Sequence, residues 1–549
     1  MIRKLFISAV LALMSTAAVA AGKVTGSWNV IPMPQQVTLT KGPAFVIDAK
    51  VGIKYDENNE KMVRNAQFLV DNIREIAGIR VGSLKKSAKN IVLSLDPSIA
   101  NPEGYRIRAT KRELRITGAT EAAVFYGIQT VTKALPVIDK QTQLRPNEAT
   151  QIALPAANIS DAPRYAYRGF LVDVGRHFFS VEYLKEMIDM FALHNINYFH
   201  WHLTEDQGWR IEIKKYPRLE EVGQHRKETI TAPNSGEFDG KPVSGFYTQE
   251  EAREIVRYAA ERYITVIPEI DLPGHMLAAL ASYPHLGCTG GPYEIPCKFG
   301  VFDDVLCGGN PAAMQFAKDV LNEIMDIFPS PYIHIGGDEC PKKRWKACPT
   351  CQQKIAELGL ADIPNEVGDK IKHSKEDQLQ VWLMAELEKL IASRGRQMMG
   401  WDEILNGDPA ESAIVMAWTS PDARLRAARE GHKTIVCPIT NFYFSNPRWN
   451  KLTGRESIGR VYDMEPTSDQ LSAEENKNII GAEGCIWTEW TKDREKMEWQ
   501  LLPRLAALAE VQWTQPERKN LDDFLTRLPH FVDIYKHFGW NYKKDILEE

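Results

Sequence analysis

Tyr332-Ile-His-Ile-Gly-Gly-Asp-Glu-Cys340 is an alternating apolar run that enters two glycines and ends on adjacent carboxyl groups. The pattern is that of a strand that stops where the backbone bends or lies close against something, then presents ionisable groups at its end. Seven further short apolar runs, at 168–174, 198–203, 265–270, 397–401, 414–418, 434–437 and 481–487, follow the same plan. Between them lie longer stretches with helical periodicity, among them 181–194, 249–262, 311–328 and 378–394. Eight strands alternating with helices predict an α/β fold, a (β/α)8 barrel with insertions. The competing arrangement, an open doubly wound sheet, would want a G-x-G-x-x-G or a P-loop after a strand, and neither occurs.

Barrel enzymes place their chemistry where strands run into the following loops. Here those ends carry Asp173 and Arg176, Thr204-Glu-Asp-Gln207, Glu269-Ile-Asp271, Asp338-Glu339, Trp401-Asp-Glu403, Trp418 and Trp487-Thr-Glu489. Carboxylates accept hydrogen bonds from hydroxyls, and indole faces pack against the apolar faces of sugar rings, so the rim suits a neutral carbohydrate. The adjacency of Asp338 and Glu339 constrains the mechanism. A retaining glycosidase of the ordinary kind needs two carboxyl groups about 5–5.5 Å apart on opposite sides of the scissile bond. Neighbours in an extended segment point to opposite faces unless the chain bends. One carboxyl can then donate a proton while the other addresses a different part of the substrate, which fits a substrate that supplies its own nucleophile.

Outward from the barrel, the chain has 549 residues, 44% hydrophobic and 25% charged, with a formal charge of -5, the composition of a globular protein without a basic footprint for nucleic acid. Residues 21–160 read as a small α+β domain: 105–109 and 114–117 alternate as a hairpin, and 119–135 has one apolar helical face. The Pro-containing stretch 154–163 reads as a linker, and 161–549 as the barrel with terminal helices at 496–513 and 521–536. Residues 1–20 place Arg3 and Lys4 before a short apolar run and Ala18-Val-Ala20, the expectation for a signal peptide of an exported, periplasmic or secreted protein. The run is too short to span a membrane, and no later stretch is long enough. The eight cysteines permit disulfides or free thiols. Cys348 and Cys351 form a C-x-x-C without a second pair at zinc-finger spacing, so a bridge near 340–351 is expected rather than zinc.

Tyr167-Arg-Gly-Phe-Leu-Val-Asp173-Val-Gly-Arg-His-Phe178, Trp201-His-Leu-Thr-Glu-Asp-Gln-Gly-Trp-Arg210, Pro268-Glu-Ile-Asp-Leu-Pro-Gly-His275, His334-Ile-Gly-Gly-Asp-Glu339 and Gly400-Trp-Asp-Glu403 occur in this order. Together they resemble the family 20 glycoside hydrolases, the β-N-acetylhexosaminidases. The resemblance implies substrate-assisted hydrolysis, with retention, of terminal non-reducing β-linked N-acetylglucosamine or N-acetylgalactosamine from an oligosaccharide or glycoconjugate, without a metal or organic cofactor. Glu339 matches the general acid/base, which must start protonated, and Asp338 the carboxylate that orients the 2-acetamido group and stays ionised. Arg168 matches an arginine that grips sugar hydroxyls, and Asp206 and His275 a polar pair supporting the acid/base. Trp401, Trp418 and Trp487 match an aromatic box, Tyr443 the donor to the acetamido carbonyl, and Glu489 a contact to the outer hydroxyls. Two positions depart from the family pattern. Ser445 stands where an aspartate often holds the outer hydroxyls, and Glu205 stands beside Asp206 where two aspartates are common.

Two other readings are open to the residues alone. His200-Trp-His202 puts two imidazoles on one strand face, as in a metal-dependent barrel hydrolase. A non-catalytic amino-sugar-binding protein would explain the aromatics, but leaves Asp338 and Glu339 without a purpose.

Overall fold

The structure is a computed structural model that describes residues 23–82, 87–137, 151–364, 371–407, 409–447 and 451–547. The expected signal peptide lies outside these residues. Among them, no helix is long and apolar enough to cross a membrane.

All eight expected barrel strands form: β1 (Tyr167–Asp173), β2 (Tyr198–His202), β3 (Thr265–Glu269), β4 (Tyr332–His334), β5 (Gln397–Trp401), β6 (Ile414–Ala417), β7 (Thr434–Val436) and β8 (Ile479–Ile486). They are parallel in chain order, and β8 closes on β1 from Tyr167↔Gly481 to Val172↔Ile486. The connecting helices start where side chains can satisfy their free N–H groups. Ser180 accepts from Tyr183 before Val181–Leu193. Thr248 with Glu251 and Ser374 with Asp377 form capping boxes before Gln249–Glu261 and Lys375–Ser393. The apolar faces of these helices bury against the outside of the barrel.

The N-terminal domain is a six-stranded sheet carrying helix Glu121–Ala134, which packs against helix Glu60–Ala77. The expected hairpin pairs Tyr105↔Gly118 through Ala109↔Leu114. The expected linker is corrected: Gln151–Leu154 and Ala157–Asp161 are both strands, and the second pairs with Gln36–Leu39 and Tyr105–Ala109. Ala157, Ile159 and Asp161 alternate inward, a period-2 pattern that Pro155 and Pro163 obscure in the sequence. Asp161 then joins the two halves of the chain, accepting from Tyr105 Oη at 2.5 Å and from the Trp513 indole N–H at 3.0 Å. The helix expected at 496–513 is two, Arg494–Leu501 and Arg504–Trp513, because Pro503 has no N–H to continue the ladder.

Candidate active site

Strand β4 stops at His334, and the chain after it bends sharply. Gly336, Gly337 and Glu339 have φ of 65°, 101° and 45°. A Cβ at Gly336 would lie 1.7 Å from Asp271 Oδ1, so only glycine fits there. The bend changes what the sequence pattern implied. Instead of pointing to opposite faces, both carboxyl groups come to one imidazole: His275 Nε2 is 3.7 Å from Asp338 Oδ2 and 3.4 Å from Glu339 Oε2.

His275 sits in the loop after β3 with φ 50°, its Nδ1 2.7 Å from Glu205 Oε1 and 3.1 Å from Asp206 Oδ2. Asp206 is itself oriented by the Leu277 N–H, 3.0 Å from Oδ1. Burial disfavours the charged ring, but the facing carboxylates of Glu205, Asp206 and Glu339 outweigh it and hold the His275 pKa well above its ordinary value. An imidazolium therefore separates the buried pair Glu205 and Asp206 from the pair Asp338 and Glu339. Burial pushes the Asp338 carboxyl up to about 6, with His275 opposing and the charges of Glu269 and Glu339 adding to the rise. Asp338 Oδ1 is buried with no hydrogen-bond partner within the protein. An unsatisfied buried carboxylate oxygen is costly, and a ligand N–H would relieve it.

These groups edge a cavity of about 290 Å³ lined by Arg176, Trp418, Tyr443, Trp487 and Glu489 as well as Asp338 and Glu339. Trp418 and Tyr443 lie parallel, 5.8 Å between ring centres, and Trp487 closes against Tyr443 at 5.8 Å. Trp401 does not line this cavity: it is buried behind the aromatic wall, packs 5.8 Å from Trp487, and donates its indole N–H to Glu269. The Trp487 indole N–H is buried without a protein partner. Burial pushes the Tyr443 phenol far up, so it remains a hydrogen-bond donor. Burial also raises Glu489, with Arg176 opposing. Ser445 lies on the cavity wall and its hydroxyl accepts from the Trp487 backbone N–H at 3.0 Å, so the residue at the departing position also props the tryptophan. A second cavity of about 480 Å³ opens on the other side of Glu339, past Gly337, Gln380 and Glu403. It is larger, but it includes neither Asp338 nor the aromatic wall.

Arg168 is not at this site. It is the second residue of β1, whose C-terminal end carries Asp173 and the cavity, and it is buried against the N-terminal domain. Its guanidinium clamps Glu103 at 2.8 and 2.9 Å and donates to Tyr126 Oη and to the carbonyls of Tyr165 and Asn195. The arginine in the cavity is Arg176, three residues beyond the same strand, bonded to Glu205 at 2.9 Å and stacked 5.1 Å over Trp487. Strand polarity was the signal: a residue at the start of a parallel barrel strand faces the end away from the chemistry. Asp271 and Glu403 also belong near the centre. Burial and the adjacent Asp338 push Asp271 well up and carry Glu403 up to about 9, so both sit as neutral acids beside the carboxylate.

His200 and His202 are buried in the barrel interior. His202 contacts Glu269 at 2.6 Å and Glu205 at 3.1 Å, and His200 contacts Glu483 at 2.8 Å. Burial opposes their charge, but these carboxylates prevail, raising His200 to about 9 and His202 well above its ordinary value. The pair belongs to a buried imidazole–carboxylate network with Glu269, Glu205 and Glu483. All eight cysteines are described and none is in a disulfide, so the bridge expected near 340–351 does not form.

Residues 165–516 match the catalytic domain of glycosyl hydrolase family 20, and residues 27–162 match domain 2 of the same family. Among similar proteins, a β-hexosaminidase of Porphyromonas gingivalis is 38% identical over 95% of this chain and 65% of its own length. One from Vibrio furnissii is 33% identical over 76% of this chain and 66% of its own length. The chain thus spans slightly less than two thirds of these two relatives. Among solved structures, the exo-β-N-acetylglucosaminidase of Vibrio harveyi in complex with N-acetylglucosamine superposes with a TM-score of 0.80 at 27% identity, covering 95% of this chain and 79% of that one. A β-N-acetylhexosaminidase of Bacteroides fragilis gives 0.74 at 28% identity, covering 96% and 98%.

Proposed function

The chain belongs to glycosyl hydrolase family 20, and from that premise we propose that it is an exo-acting β-N-acetylhexosaminidase. It removes terminal non-reducing N-acetylglucosamine or N-acetylgalactosamine by substrate-assisted, retaining hydrolysis. The observation that carries this reading is the convergence of Asp338 and Glu339 on His275 at the edge of an aromatic-walled cavity of about 290 Å³. That volume lies just below the ~300–1,000 Å³ range of small-ligand sites and suits one sugar ring, which favours cleavage from a chain end.

In this mechanism the acetamido group lies between Trp418, Tyr443 and Trp487, and its N–H donates to the buried Asp338 carboxylate. The Tyr443 hydroxyl donates to the acetamido carbonyl oxygen, holding it for attack on the anomeric carbon. Glu339 gives its proton to the glycosidic oxygen as that bond breaks, leaving a cyclic oxazolinium whose positive charge Asp338 stabilises. Glu339, now a carboxylate, takes a proton from water as the water opens the ring at the anomeric carbon, and both the β configuration and the protonated Glu339 are restored. Arg176 and Glu489 face the remaining hydroxyls.

The test is turnover of chromogenic β-N-acetylglucosaminide and N-acetylgalactosaminide by wild type, Glu339→Gln and Asp338→Asn. Both variants should lose at least about 10²-fold in kcat, the scale of a general acid/base or charge-stabilising group. A thiazoline analogue of the oxazolinium should inhibit far below KM. Equal rates on 2-acetamido and 2-hydroxy glycosides would refute the nucleophile assignment, and sugar binding without turnover would favour a lectin-like role. Export is part of the same proposal, checked by N-terminal sequencing of the protein from cell fractions.

A further inference from the structure

Cys288, Cys307, Cys348 and Cys351 are separated by up to 63 residues in the chain, yet their sulfur atoms gather in one place. The Sγ–Sγ separations are 3.9 Å for Cys288–Cys351, 3.8 Å for Cys307–Cys348 and 3.5 Å for Cys307–Cys351. All four sulfurs lie within 4.8 Å of one another. A disulfide needs about 2.05 Å, so these are not two bridges. Four thiolates around a tetrahedral zinc at about 2.3 Å stand about 3.8 Å apart, which is the spacing found.

We propose that these four cysteines bind one structural zinc ion that staples the loop after β3 to the loop after β4. The expectation from sequence, a bridge rather than zinc, rested on the lack of a second cysteine pair at zinc-finger spacing. The second pair of ligands is instead Cys288 and Cys307, 19 residues apart at two ends of one insertion. Cys307, Cys348 and Cys351 are buried, and Val305, Trp345, Ile355 and Leu379 pack around the cluster, excluding water from the bonds. The Trp345 indole N–H donates to the Leu306 carbonyl at 3.0 Å, and a Cβ at Gly309 would strike the Thr350 carbonyl at 2.3 Å, so the two loops are already fitted face to face. Cys348 and Cys351 flank the first turn of helix Pro349–Glu357, whose N-terminal dipole offsets the excess negative charge of four thiolates.

A clip suits this place. Residues 270–310 form a long connection with two short helical turns, of a length at which loops are uncommon unless they serve a function. The tie bears on the active site: Cys348 follows Glu339 by nine residues, and Gly274 of the first loop lies directly against the Asp338 carbonyl. The staple thus positions the loop that carries both candidate catalytic carboxyls without touching substrate.

The test is metal analysis of the full chain purified without chelator. One zinc per chain by elemental analysis and native mass spectrometry is expected, released in step with four thiols on titration with an organomercurial. Cobalt(II) exchanged into the site should show the strong thiolate charge-transfer band of tetrahedral four-sulfur coordination. Cys351→Ser should lose the zinc and lower Tm and kcat while leaving KM nearly unchanged, whereas Cys437→Ser, in the barrel core, should keep it. If Cys351→Ser does not fold, the wild-type stoichiometry and cobalt spectrum decide alone. Peptide mapping that finds these cysteines in disulfides, or four reactive thiols and no zinc, would overturn the proposal.

Discussion

Replacing Arg168 by Met separates the two roles this residue could have. The arginine lies at the start of β1, five residues before Asp173; at ~3.3 Å per residue that puts it roughly 16 Å from the strand end that carries the candidate site. Its guanidinium makes two bonds to Glu103, two to backbone carbonyls and one to Tyr126 Oη, and it packs 5.0 Å from the Trp513 ring. Removing one partner of a buried pair while the carboxylate stays costs about 3–5 kcal/mol. With ~2.1 cal/mol/K of unfolding entropy per residue and a cooperative unit of about 350 residues, this amounts to about 4–7 °C in Tm. Thermal and urea unfolding of wild type and Arg168→Met should show that loss, while kcat/KM at 25 °C stays within about twofold, since no interaction with the transition state is removed. A second substitution, Glu103→Leu, should recover part of the stability by removing the orphaned charge. A tenfold rise in KM with Tm unchanged would refute the assignment of Arg168 to the domain interface.

Three further outcomes follow from the site. Asp338 has its folded pKa raised from the ordinary 3.8 to about 6, so the folded state holds this proton more tightly than the unfolded chain, and stability present below pH 3.8 is lost as pH rises through about 6. At ~1.36 kcal/mol per pKa unit the ionised group costs about 3 kcal/mol at pH 7, so Asp338→Asn should raise Tm at pH 7 and leave it little changed at pH 4. Because ionised Asp338 must receive the acetamido N–H, kcat/KM of wild type should fall below a limb near pH 6; a flat profile down to pH 4.5 would count against that role. Tyr443→Phe should cost about 10²-fold in kcat with a small change in KM, as for loss of one preorganised donor, and an unchanged kcat would remove Tyr443 from the mechanism.

What could be read along the chain is what depends on neighbours in sequence. Eight apolar runs and the helices between them are local periodicities, so the barrel follows from them, and so do Asp338 and Glu339 at the end of one run. The N-terminal hairpin is legible for the same reason, and strand Ala157–Asp161 is not, because flanking prolines look like a linker until Gln36–Leu39 and Tyr105–Ala109 are seen to pair with it. Tertiary structure alone decided the rest. That Arg176 and not Arg168 faces the cavity depends on which end of β1 is covered by the N-terminal domain. That adjacent carboxyls share one face depends on positive φ at Gly336, Gly337 and Glu339, which two glycines permit but do not dictate. That His275 is a cation depends on Glu205 and Asp206 arriving from another strand. Four cysteines become a candidate metal site only when two loops meet, since ligand geometry is a property of points in space and spacing along the chain does not encode it.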